Sequence, residues 1–98
     1  MYGTVAKAKV KPENREKLRE VFGRQLSARP IAGYITSYAL YENDSDDMWL
    51  FAVFEDRATY DKNADDPAMD AQYQEYRAFM ETEPEWHDGE IDSYVVSV

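Results

Sequence analysis

Residues 48–55 read MWLFAVFE, and this stretch decides the fold. In an extended chain successive side chains point to opposite faces. Met48, Leu50, Ala52 and Phe54 therefore share one side, and Trp49, Phe51 and Val53 the other. Both sides are apolar for the whole run, so this strand needs cover on two faces. Just upstream, residues 31–42 read IAGYITSYALYE, rich in β-branched and aromatic types that favour strands. Strict alternation there sets Ile31, Ile35, Ala39 and Tyr41 against Ala32, Tyr34, Tyr38 and Leu40. Only the polar cluster Glu42 to Asp47 separates the two runs, which predicts an antiparallel hairpin.

The flanking sequence completes the order. Residues 2–10, YGTVAKAKV, alternate with Thr4, Ala6, Ala8 and Val10 on one face and Val5, Lys7 and Lys9 on the other, a half-buried strand. Pro12 suits the first turn of a helix. Leu18, Val21, Phe22 and Leu26 then form an apolar stripe at steps of three and four. Arg29-Pro30 ends that helix, because a residue before proline avoids helical geometry. After the hairpin, Asp56 caps a short helix running to about Asn63. Asp66-Pro67 starts another, with Met69, Tyr73, Tyr76 and Met80 on one face, which Glu83-Pro84 stops. Asp88-Gly89 reads as a turn and residues 91–98, IDSYVVSV, as the last strand. The order βαββαβ over one domain, residues 1–98, predicts an α+β fold. It is the ferredoxin-like plait, with helices on one face of a four-stranded antiparallel sheet.

Helices on one face leave the other face of the sheet open, yet residues 48–54 are apolar on both. An open face of that kind exposes a large apolar patch. The simplest cover is a second copy packed sheet to sheet, a two-fold homodimer.

Charge and composition exclude several functions. The chain has 20 acidic and 11 basic residues and a net charge of −9, which disfavours nucleic acid and anionic membranes as partners. The basic residues gather before residue 42 and the acidic ones after it, either as solvated faces or as halves that attract. There is no cysteine and one histidine, so neither a thiolate site nor a multi-histidine metal centre fits in one chain. Asp44, Asp46 and Asp47 lack the glycine and terminal glutamate of a calcium loop. No glycine-rich phosphate loop is present either. No metal, haem or flavin cofactor is expected. No apolar run approaches a membrane span, and the opening residues lack a signal-peptide core, which makes the cytoplasm the default location.

The chemistry-bearing residues are few. His87 has the one side chain titrating near neutrality and is a candidate general base, or a turn residue beside Asp88-Gly89. Asn63 is a candidate for holding a ligand oxygen, or a helix C-cap. Eight tyrosines are an excess, and tyrosine is a costly core residue because its hydroxyl needs a partner when buried. Tyr34, Tyr38, Tyr73, Tyr76 and Trp86 are candidates for stacking on a flat aromatic ligand, or for ordinary core packing. Arg77 suits either a ligand anion or neighbouring carboxylates.

Three stretches, YGTVAKAKVKPENREKL, WLFAVFEDRATYDKNADDP and PEWHDGEIDSYVV, give the chain a resemblance to the dimeric α+β barrel proteins. In particular it resembles the antibiotic-biosynthesis-monooxygenase-like domain over essentially its whole length. The resemblance implies a homodimer with a cavity in each subunit between helices and sheet. Relatives of this kind include cofactor-independent oxygenases of polycyclic phenols or quinols, haem-degrading oxygenases and proteins of other roles. No catalytic motif of a characterised branch matches residue by residue. Two readings stand: a cofactor-independent monooxygenase of a small aromatic substrate, or a non-catalytic homodimer that binds a small molecule or serves assembly.

Overall fold

The computed structural model describes residues 1–95. Its elements are β1 (Tyr2–Lys9), α1 (Pro12–Ala28), β2 (Tyr34–Tyr41), β3 (Asp47–Phe54), α2 (Arg57–Ala64), α3 (Pro67–Arg77) and β4 (Glu85–Glu90). The four strands form one sheet in the order β2-β3-β1-β4, with every neighbouring pair antiparallel. This is the plait topology.

Register fixes the two faces. Thr4 opposes Ala52, Ala6 opposes Leu50 and Ala8 opposes Met48 on the helix side, while Val5 opposes Phe51 and Lys7 opposes Trp49 on the outer side. The core lies where α1 and α3 cover one end of the helix side. Ala8, Val10, Leu18, Val21, Met48, Tyr76 and Met80 pack there, with Phe22, Tyr41 and Leu50 at their margin. The outer face keeps Tyr38 65%, Leu40 51% and Phe51 40% exposed in the single chain.

Caps form where the sequence signals them. Asp56 accepts from the Thr59 amide at 2.9 Å, and Asp66 from the Ala68 amide at 2.9 Å with Pro67 in the first turn. Basic residues before position 42 meet acidic ones after it within the chain. Lys7 and Lys9 pair with Asp47, Lys11 with Glu81, Arg24 with Glu75 and Arg29 with Asp66.

Three expectations are corrected. The last strand is Glu85–Glu90 rather than 91–98; residues 91–95 carry no regular structure and 96–98 lie outside the described residues. The reason is register: Glu81 N–H donates to the Lys9 carbonyl at 2.7 Å and Lys9 N–H to Thr82 Oγ1 at 3.1 Å. With the chain already bonded to the end of β1, residues 85–90 fall opposite Lys7 to Tyr2, and Asp88-Gly89 runs straight through as strand. Helix α3 stops at Arg77, whose side chain donates to the Met80 carbonyl at 2.8 Å and so turns the chain toward β1. Finally, β2 is not strictly alternating. A bulge between Tyr34 and Thr36 puts Tyr34, Ser37, Ala39 and Tyr41 on the helix side and Tyr38 and Leu40 on the outer side.

Candidate functional site

Beyond the core, the helix side of the sheet opens into a cavity of about 590 Å³. Its floor drops at the cross-strand pair Thr4 and Ala52, whose small side chains leave the space open. Leu50 and Phe54 of β3 and Trp86 and Asp88 of β4 continue that floor. Phe22, Gln25 and Leu26 of α1 form one wall. Tyr60 and Asn63 of α2 form another, and Met69, Gln72, Tyr73 and Tyr76 of α3 a third. The edge strand supplies Tyr34, Ser37 and Ala39, with Tyr38 at the rim.

The rings line the cavity in two packed groups. Tyr34 meets Phe54 edge to face at 5.7 Å, Phe54 meets Tyr60 at 5.4 Å, and Tyr73 meets Tyr76 at 5.4 Å and Trp86 at 6.3 Å. Such pairs hold the rings in place and leave faces free for a flat guest. Polar groups are sparse and placed. Tyr34 donates to Ser37 Oγ at 2.8 Å, and Tyr60 donates to Asp88 Oδ1 at 2.8 Å. Burial raises the Tyr60 phenol pKa far above its ordinary value, and the hydrogen bond to Asp88 adds to the rise. Burial does the same to Tyr76, which is 3% exposed. Both phenols stay protonated at neutral pH, and Tyr60 spends its proton on Asp88. Among the described residues no lysine, arginine or histidine lines the cavity, whereas Asp70 and Asp88 do.

Asn63 lies on the wall near the α2–α3 break. Its Oδ1 accepts from Arg29 Nη2 at 2.9 Å, and its Nδ2 is 3.5 Å from Met69 Sδ, a weak acceptor.

The structure brings Tyr34, Tyr73, Tyr76, Trp86 and Asn63 together around one space and leaves Tyr38 at its rim. It does not bring His87 there. Thr4 opposes Asp88 and Ala6 opposes Trp86, so the intervening His87, opposite Val5, is on the outer face. It pairs with Glu85 at 3.3 Å and is largely exposed. Tyr60 and Asp88 are cavity residues that the sequence reading missed. Tyr60 and Asn63 are three apart on one helix, a spacing that puts them on the same side. Asp88 was hidden by the turn reading of Asp88-Gly89. Among the described residues there is no cluster of three or more metal-ligating side chains, and no helix is long and apolar enough to cross a membrane.

Fold and cavity together define an α+β plait holding one aromatic-walled chamber of small-molecule size. The chain belongs to the antibiotic biosynthesis monooxygenase family, whose model matches residues 1–82. No curated protein matches it significantly. Solved structures do. One is a mutant of SnoaB, a cofactor-independent oxygenase from Streptomyces nogalater, at 19% identity and a TM-score of 0.78, covering 98% of this chain and 97% of that one. Another is the monooxygenase from the gene ActVA-Orf6 of Streptomyces coelicolor with the ligand nanaomycin D, at 17% identity and 0.79, covering 99% and 92%. A third is Rv0793 from Mycobacterium tuberculosis, at 14% identity and 0.72, covering 96% and 98%. At these identities the likeness is one of fold.

Proposed function

We propose that the protein is a cytoplasmic, homodimeric monooxygenase that oxidises a flat phenol or quinol with molecular oxygen and no bound cofactor. The observation that carries the proposal is the cavity of about 590 Å³ walled by Tyr34, Tyr60, Tyr73, Tyr76 and Trp86. That volume lies in the range of small-ligand sites, and stacked rings with a few placed polar groups suit a fused aromatic guest. The family and the cofactor-independent oxygenase among its structural neighbours support the reaction type.

The chemistry asks little of the protein. A phenol that also carries a ring methylene can lose a proton, after which its electron-rich anion reduces oxygen. One oxygen atom enters the ring as a quinone carbonyl and the other leaves as water. The substrate supplies all four electrons, so no external reductant is consumed. The side chains bind, orient and exclude water. In this proposal the aromatic walls hold the ring plane, and the Asn63 amide and the Tyr76 hydroxyl donate to substrate oxygens. Asp88, anchored by Tyr60, offers the carboxylate that receives the proton. His87 has no part in it, because it faces away from the cavity.

Dimerisation is part of the same proposal. Phe51, Tyr38 and Leu40 on the outer face, with Trp49 and Val53 beside them, form the apolar surface a second copy would cover.

The test is oxygen uptake with anthrone, catechols and naphthalene-diols, without added cofactor, for the native protein and for Asp88→Asn and Asn63→Ala. Uptake with an anthrone that falls at least about ten-fold in both variants supports the reading. No uptake across the panel refutes the oxygenase. A ligand-induced thermal shift in that case assigns the cavity to a non-catalytic binding role.

A further inference from the structure

Arg29 does not line the cavity, yet it bonds to two amide side chains that do. Its Nη2 donates to Asn63 Oδ1 and to Gln72 Oε1, both at 2.9 Å, and its Nη1 donates to Asp66 Oδ2 at 3.3 Å. Asp66 uses its other oxygen to cap α3 at Ala68. The guanidinium therefore sits where the end of α1, the end of α2 and the start of α3 converge. The sequence explains how it gets there. Arg29 precedes Pro30, takes an extended backbone at φ −137 and ψ 110, and leaves the helix path. Its side chain is then free to reach across to the other two helices.

A guanidinium has donors and no acceptor. An amide atom within bonding distance of it must be the oxygen. Arg29 thus decides which way both amides face: the oxygens of Asn63 and Gln72 are committed to it, and their nitrogens turn elsewhere. Asn63 Nδ2 meets only the Met69 sulfur, and Gln72 Nε2 meets no acceptor among the described residues. Both residues line the cavity. An amide without such an anchor can turn over and present a carbonyl, which repels a ligand oxygen.

We propose that Arg29 is a positioning residue, which orients Asn63 and Gln72 so that the cavity wall between α2 and α3 offers N–H donors to a ligand carbonyl or phenolate oxygen. The inference rests on the reading of the cavity as a site for an oxygen-bearing aromatic. It adds which wall takes the oxygen and what makes that wall a donor.

Two probes of one shape separate this role from simple bracing of the helices. 1,4-Naphthoquinone carries two carbonyl acceptors, and 1,4-dimethylnaphthalene carries none. In Arg29→Met, the dissociation constant for the quinone, followed by NMR titration, should rise about ten-fold, the equivalent of one or two neutral hydrogen bonds. That for the hydrocarbon should stay within about two-fold, because its binding is apolar burial alone. Arg29→Lys, which keeps a donor at the junction, should recover part of the quinone affinity. Equal losses for both probes, or an unchanged quinone affinity, would overturn the proposal. A second measurement needs no ligand. The side-chain amide signals of Asn63 and Gln72 should be dispersed in the native protein and collapse toward free-amide positions in Arg29→Met; signals that do not move refute the positioning role. If the native protein binds neither probe, the cavity reading fails, and the amide signals still decide the role of Arg29.

Discussion

Replacing Gly33 by alanine probes the junction between β2 and α2, the helix that carries Tyr60 and Asn63 into the cavity. Gly33 has φ +77 and closes a turn in which Tyr34 N–H donates to the Ile31 carbonyl at 3.2 Å. Its own carbonyl accepts from Glu55 N–H at 2.8 Å, which ties the turn to the end of β3. Two costs combine in the variant. Left-handed backbone costs an L-residue about 1–2 kcal/mol. An added Cβ would also stand 2.5 Å from Thr59 Cβ and Oγ1 and 2.6 Å from Cγ2, against an ordinary contact of 3.4–4 Å. Thr59 cannot turn aside freely, since its hydroxyl is bonded to Asp56 at the start of α2. The helix must move by about 1 Å, an overpacking strain of about 1–3 kcal/mol. The total, about 2–5 kcal/mol, lowers the Tm of a domain this size by at least about 8 °C. Gly23 supplies the control: it is exposed within α1, and a Cβ there meets nothing within 4 Å. Gly23→Ala should stabilise by about 0.5–1 kcal/mol, because alanine is the better helix residue. Thermal and urea unfolding followed by circular dichroism measure both. A Gly33→Ala variant that loses less than about 1 kcal/mol, or a destabilised Gly23→Ala variant, refutes the reasoning.

Other predictions follow from the two faces and the buried phenols. Phe51→Lys should convert a dimer to a folded monomer in light scattering coupled to gel filtration, whereas Leu50→Lys, on the cavity side, should abolish ligand-induced thermal shifts; a persistent Phe51→Lys dimer excludes the outer face as the interface. Tyr60 and Tyr76 hold their protons more tightly in the folded state than in the unfolded one. Their contribution to stability is therefore intact below about pH 10 and is lost as pH rises past that value. An alkaline absorbance titration should show a late-ionising group of tyrosines that includes Tyr60 and Tyr76 and appears only with unfolding, and the absence of such a group contradicts this. His87→Ala should leave oxygen uptake within about two-fold of the native rate, because an exposed group outside the cavity cannot take the substrate proton; a loss comparable to that of Asp88→Asn would return the base role to His87.

Much of the fold was legible because local signals agreed with tertiary needs. Residues 48–54 announced a strand that is apolar on both faces, and Asp56, Asp66 and Pro67 announced helix starts that formed as read. The sequence misled where a local preference lost to a distant bond. IDSYVVSV has more strand character than EWHDGE, but the bonds of Glu81 and Thr82 to Lys9 set the register, and EWHDGE lies opposite β1. Met80 continued the apolar spacing of α3 and is buried, yet it lies beyond the helix, held by the Arg77 cap. The candidate site was partly legible. Tyrosine excess pointed to an aromatic cavity, and five of the named residues meet around it. Asp88 and the outward aim of His87 depended on a strand register that no short window of sequence carries.

The bulge at Ile35 has a consequence for how such a chain can change. A strand is two interleaved messages, one written in its odd positions and one in its even positions, and each message belongs to one surface. In β2 the bulge acts as a frameshift midway through the text. Before it the cavity reads Tyr34; after it the cavity reads Ser37 and Ala39, while Tyr38 and Leu40 pass to the opposite surface. Regularising the strand with Ile35 kept would restore a single frame, so that Tyr34 and Ala39, five residues apart, could no longer both face the cavity; deleting Ile35 would instead leave Tyr34, Ser37 and Ala39 on the cavity side by plain alternation. Sliding the bulge by one residue toward the start of β2 would set Ile35 in place of Tyr34 opposite Phe54 and leave the pairs from Thr36 onward as they are. The shape of the chamber can thus be rewritten by moving one bulge in an edge strand, without touching the core that keeps the domain folded.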